Sequence, residues 1–196
     1  MRRLLLIVLG SAILFSGCSS AAQTAAPTPT STPTPTTTPE PSPTLAPADA
    51  GWVVLAPAAS GFTCKFPGEP KLTKTTTTTK EGPIPTSVWE YLANTNLDYN
   101  VAMWQYPVGS GLDASGIYDS TITGMGSTNH LTLSSQSDNS LSGHPGRAFT
   151  LKGASYTLQG EVVLAGDNLY MVYASYAPSI DSAGVAAFLA DFQLTA

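Results

Sequence analysis

The chain has 196 residues, a formal net charge of -5, two cysteines, 16 prolines and only 11% charged side chains, against roughly 25% in an average soluble protein. Eight Lys and Arg against thirteen Asp and Glu leave no basic surface for a nucleic-acid backbone. Two cysteines exclude a disulfide scaffold or an all-cysteine zinc site, and many prolines with few charges exclude a coiled coil.

Residues 1–17 read as an export signal. Arg2 and Arg3 supply a positive start, and an apolar run follows that is too short to cross ~30 Å of hydrocarbon as a stable helix. Leu14-Phe15-Ser16-Gly17-Cys18 resembles a bacterial lipobox, although Phe15 stands where Leu is usual. The resemblance implies cleavage before Cys18 and diacylation of its thiol; the rival reading is an ordinary signal peptide with a chance cysteine. Two acyl chains anchor stably where one does not, so the expected location is the extracytoplasmic face of a bacterial membrane. The general secretory route fits better than a twin-arginine route, because nothing but Met1 precedes the arginines.

Residues 18–50 form the next expected unit: a lipidated Cys18 and a tether of Ser, Thr, Ala and Pro, with Leu45 its one apolar residue larger than Ala. Such a composition cannot bury enough surface to offset its ordering entropy, and its prolines favour polyproline II. The Thr-Pro repeats also look like acceptors for O-linked sugars. A Pro-rich recognition ligand is the rival reading, disfavoured because no aromatic or basic residues flank the prolines.

Residues 51–196 remain as one globular domain, still charge-poor, with 11 acids and 6 bases. Phe62, Cys64 and Phe66 alternate with polar residues and stop at Pro67-Gly68, as a strand does. Residues 71–80 are β-branched with few apolar side chains, a strand whose lysines discourage edge pairing. Residues 87–92 and 99–106 read as strands around an Asn94-Thr95-Asn96 turn. A helix is expected over 113–125, with Ile117, Thr121, Ile122 and Met125 on one side. After a His144-Pro145-Gly146 turn, 147–152, 156–165 and 169–176 read as a meander, with a tight turn at Gly166-Asp167-Asn168. Val185, Phe188, Leu189 and Phe192 make one apolar helical face that Ser179 or Asp181 can cap. Sequential strands with two one-faced helices predict an α+β fold, a twisted, mainly antiparallel sheet with helices laid on it.

Four segments resemble the PsbP-like family of bacterial extracytoplasmic proteins, whose fold is that of the extrinsic photosystem subunit. Gly61-Phe62-Thr63-Cys64-Lys65-Phe66-Pro67-Gly68-Glu69-Pro70 is similar to a GF-x-x-x-FPG-x-P opening. Leu141-Ser142-Gly143-His144-Pro145-Gly146-Arg147, Asn168-Leu169-Tyr170-Met171-Val172 and Phe188-Leu189-Ala190-Asp191-Phe192-Gln193-Leu194 are similar to three later motifs. The resemblance implies an α-β-α sandwich, a twisted antiparallel sheet flanked by two or more helices, and it brings no shared catalytic residues.

Catalytic patterns are missing from the sequence: G-x-S-x-G, S-x-x-K, H-E-x-x-H, the P-loop and G-x-G-x-x-G. His130, at an expected strand start, and His144 read as surface residues, and a zinc site would need them to converge with a carboxylate. Asp138, Asp167 and Asp181 read as loop residues with turn or cap roles. Cys64 is in phase with Phe62 and Phe66, so it reads as a small buried hydrophobe rather than a nucleophile. Trp89, Trp104, Tyr106 and Tyr176, with Tyr91, Tyr170 and Tyr173 nearby on the same strands, are either core or an exposed aromatic surface for a sugar or peptide. The expected protein is a lipid-anchored, non-enzymatic binding domain for an envelope protein or wall component, without metal or cofactor. An accessory subunit of a membrane complex and an envelope-polymer hydrolase are the alternatives.

Overall fold

A computed structural model describes residues 51–79 and 82–195. The expected signal, the lipidated Cys18 and the tether over 18–50 lie outside the described residues.

The central feature is a seven-stranded, wholly antiparallel sheet in the order β3-β4-β5-β9-β8-β7-β6. Its strands are β3 (Lys71–Thr79), β4 (Gly82–Asn94), β5 (Leu97–Gln105), β6 (Thr132–Leu141), β7 (His144–Lys152), β8 (Thr157–Ala165) and β9 (Asn168–Tyr176). Strand β9 lies at the centre and is buried on both sides. Leu169, Met171 and Tyr173 face one core, and Tyr170, Val172 and Ala174 the other. Alternation with period two therefore gives a nearly continuous apolar strand.

Helix α1 (Ala114–Asn129) covers one face, over β6, β7 and β8. Asp113 caps it by accepting the Gly116 N–H at 2.8 Å, which satisfies one orphan donor of the first turn. Tyr118, Thr121, Ile122 and Met125 form its buried side. Its end is a left-handed residue, His130 (φ 55°), followed by a Leu131 N–H to Gly126 carbonyl bond of 2.8 Å. His130 thus closes a helix rather than opening a strand, and the helix runs four residues past its expected end.

The other face carries a three-stranded sheet in the order β1-β2-β10, made of β1 (Val53–Leu55), β2 (Phe62–Phe66) and β10 (Gln193–Leu194). Helix α2 (Ala183–Ala190) packs beside it and buries Val185, Phe188 and Leu189. Its N-cap residue is Ser182, whose side chain makes no cap bond, rather than Ser179 or Asp181; Asp181, one residue earlier, accepts the Ala183 N–H at 3.0 Å. Phe62, Phe66, Phe188 and Phe192 interlock with Trp89 and Tyr99 of the large sheet, mostly edge to face at centroid distances of 4.9–5.6 Å. The architecture is the expected α+β one, with a helix on each face and the small sheet added on one.

Several boundaries differ from the sequence expectation for physical reasons. Strand β4 starts at Gly82, and Pro83 and Pro85 fall where it pairs with β3 while pairing with β5 begins only at Thr86. Missing donors are tolerated at such a half-paired end. The β6–β7 turn is Ser142-Gly143, both at positive φ (49° and 83°), as a two-residue hairpin requires. His144-Pro145-Gly146 therefore belongs to β7 rather than to a turn, and Asp138 lies in β6 rather than in a loop.

Candidate binding cleft

The four aromatic residues singled out from sequence do not share a surface. Trp89 and Trp104 are each only 4% exposed and belong to the two opposite cores. Tyr106 is half-buried beside the Trp104 core. Tyr176 is half-buried against the other, and its hydroxyl donates to Gln159 Oε1 at 3.0 Å. Alternation along β4, β5 and β9 separates them, because a Trp on each face can be buried when both faces are covered.

The two histidines line different clefts. His130 borders an apolar one with Ile122, Leu131 and Leu133, beside the end of α1. His144 borders a polar one at the far end of the sheet. No cluster of three His, Cys, Asp or Glu suited to a metal occurs among the described residues. Asp167 sits in the β8–β9 turn, as expected, and its carboxylate accepts the Gly109 N–H at 3.3 Å, which ties this turn to the loop after β5. Asp138 pairs instead with Arg147.

The polar cleft is built by segments far apart in the chain. Its volume is about 400 Å³, and its walls come from Gly61, the Ser142-to-His144 turn, the β8–β9 turn with Asn168, Tyr170, and the Leu194-Thr195 end. Each wall segment is the start, end or turn of a different element. Hydrogen bonds fix them to one another: Thr195 N–H to the Gly61 carbonyl at 2.9 Å, Leu194 N–H to Ser142 Oγ at 2.9 Å, and the Tyr170 hydroxyl to the Ser60 carbonyl at 3.0 Å. Gly61 is required here twice over: its φ is +68°, and a Cβ would stand 2.7 Å from the Tyr170 hydroxyl.

No charged side chain lines this cleft; it offers an exposed imidazole (His144), an amide (Asn168), hydroxyls and backbone groups. Burial pushes the Tyr170 phenol above its usual range, partly offset by a hydrogen bond with the Asn168 side chain. Tyr170 thus stays neutral across physiological pH. The lining carries one imidazole and the hydroxyls of Ser142, Tyr170 and Thr195, and no carboxylate or thiol. It can recognise a neutral ligand by hydrogen bonds.

Ser142, Asn168 and Thr195 carried no signal of their own in the sequence. The available signal was collective: the four motif segments that mark the family resemblance each contribute to, or lead directly into, this cleft.

No protein-family model matches the chain. No curated protein matches it either. Among solved structures, the chain is similar to cyanobacterial PsbP (CyanoP) from Synechocystis sp. PCC 6803, with a TM-score of 0.52 and 10% identity over 72% of this chain and 91% of that one. At that identity the likeness shows the fold alone, an α+β PsbP-like fold.

Proposed function

We propose that this protein is a lipid-anchored, extracytoplasmic, non-enzymatic accessory domain that holds an envelope protein or wall component at the polar cleft. The observation that carries the reading is the convergence of four distant segments on one uncharged cleft of about 400 Å³. The lining offers hydroxyls, an amide, an imidazole and backbone groups, the kind of hydrogen-bonding set that recognises a ligand. A charge-poor domain, with 17 charged residues in 51–196, likewise favours short-range contact over electrostatic steering. The anchor rests on the lipobox-like Leu14-Phe15-Ser16-Gly17-Cys18, and the tether on the Pro/Thr/Ser composition that follows. An anchored domain meets its partner at high local concentration, so a modest affinity suffices.

The test is site-specific photo-crosslinking in intact envelopes, with the photoreactive residue at Ser142, and at Thr73 on the remote edge strand as control. A discrete adduct from position 142 that the control lacks is expected. Identical patterns from both positions overturn the cleft reading, and a Cys18→Ala chain that still fractionates with membranes overturns the anchor.

A further inference from the structure

The two outer strands of the large sheet are finished differently. Strand β3 carries Lys71 and Lys74 along its length, a common guard against edge-to-edge pairing. Strand β6 has neither lysine nor proline and is exposed from Thr132 to Asp138. Its turn fixes which way its backbone faces. A two-residue turn makes Leu141 and His144 the closing pair, which exchanges both backbone bonds. By alternation Leu141, Asn139 and Ser137 bond to β7, while Ser140, Asp138 and Gln136 turn their N–H and C=O groups outward. No other described strand pairs with them. Donors and acceptors at strand spacing are complementary to another extended backbone.

Side chains beside this edge set what the incoming backbone must carry. Leu133 is in register with Leu151 of the α1-side core, and Asp138 with Arg147, which meets Asp119 of α1. Leu133 and Asp138 therefore share the α1 face, and the bulge between Leu133 and Ser135 keeps Leu133 in phase. At one end Leu133 is 45% exposed on the rim of the apolar cleft of about 400 Å³ beside the end of α1, room for an apolar side chain. At the other end Arg147 meets two carboxylates, Asp119 and Asp138, which leaves one negative charge in excess. Both Arg147 contacts with Asp138 go to Oδ1, and the Asp138 side chain is 87% exposed, so Oδ2 is open to a further cation. Strand β7 shows the matching pattern on the inner edge: Arg147 opposite Asp138 and, four residues later, Leu151 opposite Leu133.

A second copy of β6 fits this edge badly. Pairing about a two-fold axis engages Gln136, Asp138 and Ser140 together when Asp138 faces its own copy, and like charges directly opposite are destabilising. We propose that the open edge of β6 and the cleft beside α1 bind an extended segment of a partner protein by strand addition, with a basic residue opposite Asp138 and an apolar one four residues later in the cleft. The added strand runs antiparallel, as every pairing in this sheet does. Its residues that bond to β6 then carry their side chains on the α1 face, so the basic and apolar positions share one parity. Strand addition of this kind takes its affinity from main-chain bonds and its selectivity from alternate side chains. The surface shares no residue with the polar cleft, so either site can fail without the other.

Fluorescence anisotropy tests the proposal with the full chain in detergent and a labelled probe, Thr-Thr-Arg-Thr-Thr-Thr-Leu-Thr with both ends capped. N-methylation of the arginine and of the threonine two residues after it removes donors aimed at β6, and should weaken binding at least ~10-fold. N-methylation of the threonines on either side of the arginine removes as many donors from the far edge, and should change binding by less than about twofold. Asp138→Lys should weaken the probe at least ~10-fold and restore binding to a probe with glutamate in place of the arginine. That recovery also shows the variant to be folded. No binding of the parent probe at about 1 mM overturns the proposal. So does equal loss from the two N-methylated probes, and so does an Asp138→Lys chain that binds neither probe. Probe binding that weakens as protein concentration rises gives the edge to a second copy and overturns it too.

Discussion

Tyr170, on the central strand β9, donates its hydroxyl to the carbonyl of Ser60, 110 residues earlier, in a buried bond of 3.0 Å. This contact holds the entry to β2 against the large sheet and forms the back of the polar cleft. Tyr170→Phe leaves the Ser60 carbonyl buried without its partner, at a cost of about 1–2 kcal/mol. Gly61→Ala forces a side chain into left-handed backbone and against the same hydroxyl, at about 2–3 kcal/mol. The next Tyr170 atom, Cζ, is 3.8 Å from such a Cβ, an ordinary contact. Gly61→Ala/Tyr170→Phe should therefore lose less stability than the sum of the single variants. Urea denaturation of the four-member cycle measures this; strict additivity would mean that the hydroxyl is not what Gly61 accommodates.

Arg147 of β7 is the hub of the surface ion pairs. It meets Asp119 of α1 and Asp138 of β6, and its guanidinium lies 5.9 Å from the Tyr118 ring centroid. The Arg147 side chain is only 14% exposed, while Asp138 is 87% exposed. Solvent screening therefore makes Asp138→Asn worth less than about 0.5 kcal/mol. Arg147→Ala should cost more, about 1–2 kcal/mol, because it also removes stem packing and the cation–π contact. Repeating both in 1 M NaCl should shrink the Asp138 effect and leave most of the Arg147 effect. Equal costs for the two variants would assign the whole interaction to charge.

Asp98 gives the fold a pH-sensitive spot. Burial holds its carboxyl above the ordinary value of 3.8; hydrogen bonds with Asn100 and Ser175 pull it down, and the Glu90 carboxylate pushes it up. A raised folded-state value means that the native chain keeps a proton the unfolded chain has released. Stability from this group therefore falls as pH rises from about 4 through the raised value. Burial acts on Glu161 in the same direction, so part of the slope remains when Asp98 is changed. The stability of Asp98→Asn relative to the parent should increase between pH 4 and pH 7, read from denaturation midpoints at each pH. A constant difference would show that Asp98 titrates at its ordinary value.

Legibility in the sequence followed burial. Strand β2, the β7–β8–β9 meander and α2 pack apolar faces against the core, so their periodicities are visible in the order of residues. Strand β6 is exposed for nearly its whole length, and nothing selects apolar residues there, so no alternation marked it. β1 and β10, with three and two residues, are too short for any periodicity. The aromatic residues misled in a physical way: strand alternation is the same whether the second face meets solvent or α1, and only the tertiary arrangement distinguishes buried Trp104 from an exposed one. The cleft showed only collectively, through the four motif segments that meet there, because the turns, hydroxyls and backbone groups that form it have no residue signature one by one.

Cys64 offers the sharpest test of the core, because its burial was legible from its phase with Phe62 and Phe66. It is 1% exposed among those rings. Burial pushes its thiol up to about 12, and the nearby Asp191 carboxylate adds to the shift while a backbone hydrogen bond at Lys65 opposes it. Since the thiolate is the reactive form, the native protein with Cys18→Ser should resist a thiol reagent at pH 8, with labelling only at the rate of opening and accelerating with denaturant. Rapid stoichiometric labelling of the folded chain would refute the burial. The same shift sets a sign in alkali. Between the ordinary value of 9.0 and about 12, the unfolded chain has lost the proton that the native chain retains, so stability falls with rising pH, by at most about 1.4 kcal/mol per unit from this group. Tyr99, Tyr170 and Tyr176 are raised by burial in the same direction. The difference between the parent and Cys64→Ala isolates the thiol: the variant should be the less stable at pH 8, through its small cavity, and the gap should narrow as pH climbs above 9.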